Sequence, residues 1–396
     1  MPDTIQSDSL NVPWYHRAGI WIGIATSPGA LIVGGGLAAR LPLTALFLAI
    51  PIGASILTAL TVTQGIISRR RRETLPRRAI FTFGTGFGAN LLNLVMVFST
   101  IGWVSFYLGI AGFSLATLLS LSAWIGVLLL VSSALVLNEL GLNRWNILVW
   151  LTTISALGAA LVALSVVEPK PILPISEEVG LSPFLWGIGS VVSYSLVFAV
   201  RSSDFTWDLD SDLDVIKDGL AYLLPVLIMF GIGVTLYRTT GESNLADILA
   251  QTPSAGLGHI FLVLAVISPI LTNFHSGTLA LEGLVPLSKR QGALLIGAIC
   301  FILGATRFDH HLLPFLDLLG AVLIPALVVM LLTAIPAHHP SRVGALVAWL
   351  AGLAAALIFK IQGNLVHLVV GAVVSIVVLE IIIRLPNKFE YLRGKV

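Results

Sequence analysis

The chain has 396 residues, of which 57% are hydrophobic and 11% charged, with a mean hydropathy of +0.97. A soluble domain needs more charged surface than this, so the bilayer must solvate much of the protein. A formal net charge of +2, scattered along the chain, argues against a nucleic-acid partner, and the single cysteine, Cys300, excludes a disulfide framework.

In hydrocarbon, backbone N–H and C=O groups must be satisfied within the protein, which restricts spanning structures to helices or a closed barrel. The long apolar runs favour helices. The polar segment Met1 to Pro13 lacks the basic n-region, short apolar core and cleavage site of a secretory signal and is expected to be retained. Apolar stretches of roughly 20 residues then predict twelve spans, near 18–38, 43–67, 86–112, 115–137, 146–167, 183–200, 219–237, 256–282, 291–306, 311–335, 343–360 and 364–383. Asn244 to Gln251 reads as a surface helix, and Glu168-Pro-Lys-Pro-Ile-Leu-Pro174 as a link. No separate soluble domain fits between the spans.

With the N-terminus inside, the cytoplasmic side collects Arg17, Arg69 to Arg72, Arg77, Arg78, Arg144, Arg201, Lys217, Lys289, Arg290, Arg342, Arg384, Lys388, Arg393 and Lys395. The outside keeps Arg40, Lys170, Arg238, Arg307 and Lys360, a 17-to-5 split of the 22 Lys and Arg residues. The positive-inside rule expects this asymmetry, so both termini are expected in the cytoplasm of a cell-membrane protein.

The spans that depart from uniform apolarity are 1, 3, 6 and 8. Span 1 carries Ala25-Thr-Ser-Pro-Gly-Ala30 and Gly34-Gly-Gly36, which suits either a broken helix or a Pro-kinked, Gly-packed one. Span 6 carries Trp186-Gly-Ile-Gly-Ser190 and Ser193-Tyr194-Ser195 five spans later. Interruptions at corresponding positions of two halves point to an inverted-repeat transporter. In span 3, helical spacing stacks Thr100, Trp103 and Tyr107 on one face, either as a plate for a flat polar ligand or as core packing. In span 8, Ser268, Thr272 and Ser276 recur every four residues beside Asn273 and His275. Such a stripe must meet another helix, water or an ion, and His275 or Glu282 are titratable candidates for carrying a proton.

Asp309-His310-His311 reads as a solvated loop, since adjacent histidines cannot complete a metal shell. The sequence carries no Gly-rich phosphate loop, H-E-x-x-H or G-x-S-x-G. Nothing in it argues for an enzyme or for ATP use.

Phe81-Thr-Phe-Gly84, Thr100-Ile-Gly-Trp103, Ser203-Asp-Phe205, Leu271-Thr-Asn273, and Phe315-Leu316 with Pro325 together resemble the nucleobase:cation symporter-1 family, especially its cytosine permease branch, from about residue 14 to 385. The resemblance implies an all-α membrane fold with a leucine-transporter-like core. Its first five-helix repeat would span 18–167 and its inverted second repeat 183–335, with discontinuous helices 1 and 6, followed by two further helices over 343–383. It also implies a planar heterocycle as substrate: cytosine, a purine, uracil, allantoin or a hydantoin.

By the same resemblance, Trp103 is a stacking tryptophan, and the span 6 aromatic contact falls at Tyr194 or Ser195. Substrate-facing positions are then Ser27, Thr100, Trp103, Tyr194, Ser195 and Asn273. Thr100 stands where cytosine permeases often carry glutamine. Cation positions are Gly23, Thr26, Ser268 and Thr272, with Leu271 replacing one hydroxyl, which leaves sodium coupling and proton coupling through His275 both open. The expected function is cation-coupled uptake of the heterocycle by alternating access, with no cofactor and the lipid bilayer as partner. The alternative is a non-transporting membrane receptor or a channel.

Overall fold

The computed structural model describes residues 12–139, 142–166, 180–251, 255–335 and 340–384, with backbone alone for 142–148 and 166. The link 168–174, most of segment 1–13, Lys170, Lys388, Arg393 and Lys395 lie outside the described residues, as does the Arg144 side chain.

The described residues are almost entirely helical. A 3-10 turn over Trp14–His16 leads into α1 (Ala18–Ala25) and α2 (Pro28–Ala38), and α3 (Leu43–Arg71) follows. The next elements are α4 (Leu75–Phe83), α5 (Phe87–Leu119), α6 (Ala123–Asn138) and α7 (Leu142–Val166). Span 6 comprises α8 (Leu181–Tyr194), α9 (Leu196–Val200) and α10 (Ser202–Thr206). Then come α11 (Asp212–Thr240), α12 (Leu245–Ala250), α13 (Gly256–Ala265), α14 (Ile267–Glu282) and α15 (Lys289–Ala305). After a 3-10 turn over Phe308–His311, α16 (Leu312–Leu332), α17 (Arg342–Ile361) and α18 (His367–Arg384) complete the chain.

Eight continuous or once-interrupted segments among the described residues are long and apolar enough to cross a membrane. With α6, α7, α15 and the interrupted α8–α10 segment they give the twelve crossings of a multi-pass membrane protein. Large apolar side chains such as Phe47, 72% exposed, point outward, as lipid contact requires.

Two groups of helices organise the core. The halves of span 1 pack on α11, α3 packs on α8 and α11, and α10 packs on α3, so spans 1, 2, 6 and 7 form one group. In the other group, α5 packs against α6, α14 and α15. The α17–α18 hairpin leans on α16.

Lipid tails supply no hydrophobic drive between helices, so close backbone approach has to come from small residues. The α2–α11 crossing shows this from both sides. A Cβ on Gly34 would stand 2.3 Å from the Phe230 carbonyl, and one on Gly233 2.1 Å from that of Leu31. The short α10 is held to α3 by hydroxyls: Ser202 Oγ donates to Thr61 O at 2.9 Å, and Ser203 Oγ accepts from Gln64 Nε2 (2.9 Å) and Ser68 Oγ (2.8 Å).

Several boundaries differ from the sequence reading. Span 4 starts at Ala123 rather than 115, because α5 runs on to Leu119 and ends at Ser120 in the left-handed region (φ 54°). The segment after the arginine run forms α4, whose Arg78 is buried and donates to Met330 O of α16. Burial and the neighbouring Arg71 push the Arg78 guanidinium down to about 10. Span 8 is broken at Val266 rather than continuous. Its cause is Pro269, which has no N–H for the Ala265 carbonyl one turn back.

The α2–α11 contact yields a paired prediction. Gly233→Ala forces a methyl onto a backbone carbonyl and should destabilise the protein by about 1–3 kcal/mol. Gly231→Ala, two residues away with nothing within 4 Å of its Cβ position, should be neutral or stabilising by about 0.5–1 kcal/mol. Unfolding in detergent compares the two, and equal midpoints would contradict the packing account.

Candidate functional site

The site grows from the break in span 1. Pro28 occupies the first position of α2 and disfavours helical backbone at the residue before it. Ser27 is accordingly extended (φ −62°, ψ 151°), and α1 stops at Ala25. The Ser27 N–H turns to Ile24 O at 3.3 Å, leaving Gly23 O without its usual i+4 donor.

Two tyrosines close over this break. Tyr194, the last residue of α8, donates to Ile24 O at 2.9 Å and lies 2.8 Å from Ser27 Oγ. From α5, Tyr107 donates to the same Ser27 Oγ at 3.2 Å. Trp103, one turn earlier on α5, stacks on Tyr107 with centroids 5.6 Å apart at 25°. It also meets Tyr194 edge-on at 5.7 Å and Phe315 at 6.4 Å. Gly29 sits beneath: a Cβ there would be 3.2 Å from Trp103 and 3.3 Å from Tyr194. This aromatic chamber is packed shut by its own side chains, with Trp103 1% exposed and its indole N–H without an acceptor among the described residues.

The remaining sequence-predicted positions divide into three settings. Ser195, at the span 6 break, faces Tyr222 of α11. A Cβ on Gly283 would lie against Asn93, and one on Gly277 against Thr100, so α5 and α14 run antiparallel with Asn273 level with Trp103. Asn273 Nδ2 donates to Pro269 O at 2.9 Å, while its buried Oδ1 has no partner among the described residues. Thr100 is fully buried against Gly277, and its hydroxyl accepts from Arg201 at 3.5 Å.

Among the cation candidates, α1 and α14 bring Gly23 and Ser268 together, the Gly23 Cβ position lying 3.8 Å from Ser268 Oγ. Thr272 follows one turn along α14 and is also buried. Thr26 Oγ1 is taken by Ile22 O at 2.9 Å. The sequence reading passed over two features here. One is the Ala265 carbonyl freed by Pro269. The other is the buried, unpartnered Thr153 hydroxyl of α7, one turn from Val149, which packs on Gly23. The proline was legible as a breaker but was hidden inside a stripe read for its hydroxyls.

His275 stands apart from Ser268 and Thr272. It lines a cavity of about 410 Å³ with Arg17, Asn93, Arg201, Asp204 and Ser276. A wider groove of about 530 Å³ between α3 and α11 is lined by apolar residues such as Leu46, Phe47 and Leu227, and suits lipid rather than a polar ligand.

Two readings need correction. The glycines of Trp186-Gly-Ile-Gly-Ser190 do not interrupt span 6. A Cβ on Gly187 would meet Leu41 at 2.6 Å and one on Gly189 would meet Leu368 at 2.7 Å, so they serve packing, and the break falls at Ser195. In Asp309-His310-His311 the two histidines are exposed, as a solvated segment would have them, but Asp309 is 1% exposed, accepts from Asn244 Nδ2 at 2.6 Å and pairs with Arg307. Arg307 also reaches Asp247 at 2.9 Å, which ties α12 to the start of α16.

No family model and no curated protein matches the sequence. Solved structures do match. The inward-facing conformation of Mhp1 superposes with a TM-score of 0.74 at 15% identity, covering 98% of this chain and 96% of that one. Mhp1, a nucleobase-cation-symport-1 family transporter, in a closed conformation with bromovinylhydantoin bound gives 0.71 at 14% identity, covering 94% and 93%. A Na+-coupled sialic acid symporter in a substrate-bound outward-open state gives 0.65 at 14%, covering 94% and 90%. The chain therefore has the fold of these symporters, with interrupted first and sixth spans, and the family resemblance read from its motifs is supported at the level of the fold.

The tyrosine bridge can be tested directly. Tyr194→Phe removes the donor to Ile24 O and should cost about 1–2 kcal/mol of stability in detergent, whereas Tyr237→Phe on α11, which lies outside this bridge, should cost less. Equal losses would mean that the bridge does not hold the break.

Proposed function

We propose that this protein is a secondary active transporter that imports a nucleobase-like planar heterocycle by alternating access, coupled to sodium. The observation that carries the reading is the convergence of Trp103, Tyr107 and Tyr194 on the backbone break at Ser27 and Gly29. A flat ring stacks on an indole with about 1–3 kcal/mol. The indole N–H of Trp103 and Oδ1 of Asn273, both buried without partners, offer a donor and an acceptor to its polar edge. In the closed chamber the aromatic side chains lie against one another, so ring entry requires Trp103 to part from Tyr107. Closure of such a chamber around a ligand is the step alternating access needs.

Sodium is favoured because Gly23 O, Ala265 O, Ser268 Oγ and Thr272 Oγ1 are the neutral oxygens a hard cation takes. His275, the proton candidate, belongs instead to the cavity beside Arg201. The 17-to-5 charge split supports cytoplasmic termini. Mhp1, solved with bromovinylhydantoin bound, is consistent with a heterocycle of the hydantoin, allantoin, cytosine, uracil or purine class.

Trp103→Ala should weaken saturable binding of labelled heterocycles by at least about tenfold. Binding that survives this change intact would count against the chamber as the substrate site. In proteoliposomes, uptake should stop in sodium-free buffer, persist after collapse of the proton gradient and need roughly tenfold more sodium in Ser268→Ala. The reverse pattern would assign coupling to a proton. Trans-stimulated counterflow should be seen, which neither a receptor nor a channel would give.

A further inference from the structure

Arg78 and Arg201 are buried cations that the transport reading leaves unused; Arg78 donates to Met330 O, whereas Arg201 faces a cavity. Arg201 sits where α9 gives way to α10, is 1% exposed, and is fixed by its backbone N–H to Val197 O at 3.0 Å. Its side chain lines the 410 Å³ cavity. There Nη2 reaches Thr100 Oγ1 only at 3.5 Å, and Nη1 is buried with no acceptor among the described residues.

The surrounding charges do not complete it. Asp204, three residues on, attracts Arg201 through space but accepts the Leu75 N–H at 2.8 Å. Arg17, the second guanidinium in the cavity, is paired with Asp208. His275 lies beside Arg201 and adds no negative charge. A desolvated guanidinium with an idle N–H is costly unless something in its working cycle fills that position.

Geometry connects this position to the aromatic chamber. Thr100 precedes Trp103 by three residues on α5, about 4.5 Å along the axis. A ring lying against the indole is thus about one helical turn from the guanidinium, with Thr100 between the two. The planar fork of arginine matches a carboxylate, and one unfilled guanidinium matches one negative charge better than a phosphate dianion.

We infer that Arg201 is the counter-charge for a carboxylate carried by the transported heterocycle, so that the preferred substrate is a ring acid rather than a neutral base. This inference rests on the heterocycle-transport reading above and adds the charge of the substrate to it.

The test uses the full chain in nanodiscs and ring pairs that differ in the acid group: uracil with its carboxylate orotate, and nicotinamide with nicotinate. The acid of at least one pair should bind about tenfold or more tightly than its neutral partner. Arg201→Gln should weaken the acid by about 10- to 100-fold and change the neutral ring less than about twofold, with Arg201→Lys intermediate. If the neutral rings bind through Trp103 while the acids bind no better, and Arg201→Gln changes neither, the inference is overturned and the transport reading stands. Acids that need Arg201 but are indifferent to Trp103→Ala would support the anion site and overturn the stacking site. Absence of binding by any ring would overturn both. Should Arg201→Gln fail to fold, the wild-type preference within each pair and its reduction in Arg201→Lys decide the matter.

Discussion

A helix that crosses a membrane has to satisfy its own backbone, and the first span of this protein breaks that constraint at Thr26, Ser27 and Pro28. Most of the site follows from how the break is repaired. Ile24 O takes both the Ser27 N–H and the Tyr194 hydroxyl, and Ser27 Oγ accepts from Tyr107 while donating to Tyr194. Spans 3 and 6 are thereby tied to span 1 at one depth. Trp103 reaches the break through its stack on Tyr107. The aromatic chamber is thus the means by which an otherwise unsatisfied segment of backbone is tolerated.

Such a break is useful only if the helices around it keep their shape. Glycine contacts provide this in both groups: Gly34 and Gly233 let α2 and α11 touch backbone to backbone, and a Cβ on Gly126 of α6 would stand 2.1 Å from the Gly112 carbonyl of α5. Interfaces of this kind have little room to slide, because any shift drives a Cα into a carbonyl. The chamber lies between the two groups, where α5 meets the span 1 break and Tyr194 of α8.

The architecture was readable because hydropathy and charge placement are properties of residue type. Twelve spans and the Pro28 break required no knowledge of neighbours. What escaped depended on which surface a residue meets. Gly187 and Gly189 have the composition of a helix break, yet Leu41 and Leu368 occupy the space beside them. Pro269 was the true breaker of span 8, masked by the hydroxyls around it. The amphipathic α4 is too short and too basic to register as a span. Asp309 has the sequence context of a wet loop, but Gly109 on α5 leaves an opening for it, a Cβ there falling 2.5 Å from Asp309 Oδ1. Within the site, the aromatic residues were legible from spacing on α5, whereas the pairing of Thr100 with Arg201 was not, since spacing on one helix does not name the residue another span brings to it.

The two ends of the molecule treat buried charge in opposite ways. At the end that carries Asp309, the charges of the α12 and α16 junction are matched: Asp309 with Asn244 and Arg307, and Arg307 again with Asp247. Desolvation is offset there, and opening that end requires several charge-assisted bonds to part together. At the end that carries Arg17, Asp208 satisfies one guanidinium while Arg201 keeps an unfilled N–H toward a cavity. A bound anion would supply at this second end what Asp309 supplies at the first. Closure over the cavity would then cost least when the ligand is present, which is the bias that separates a transporter from a leak.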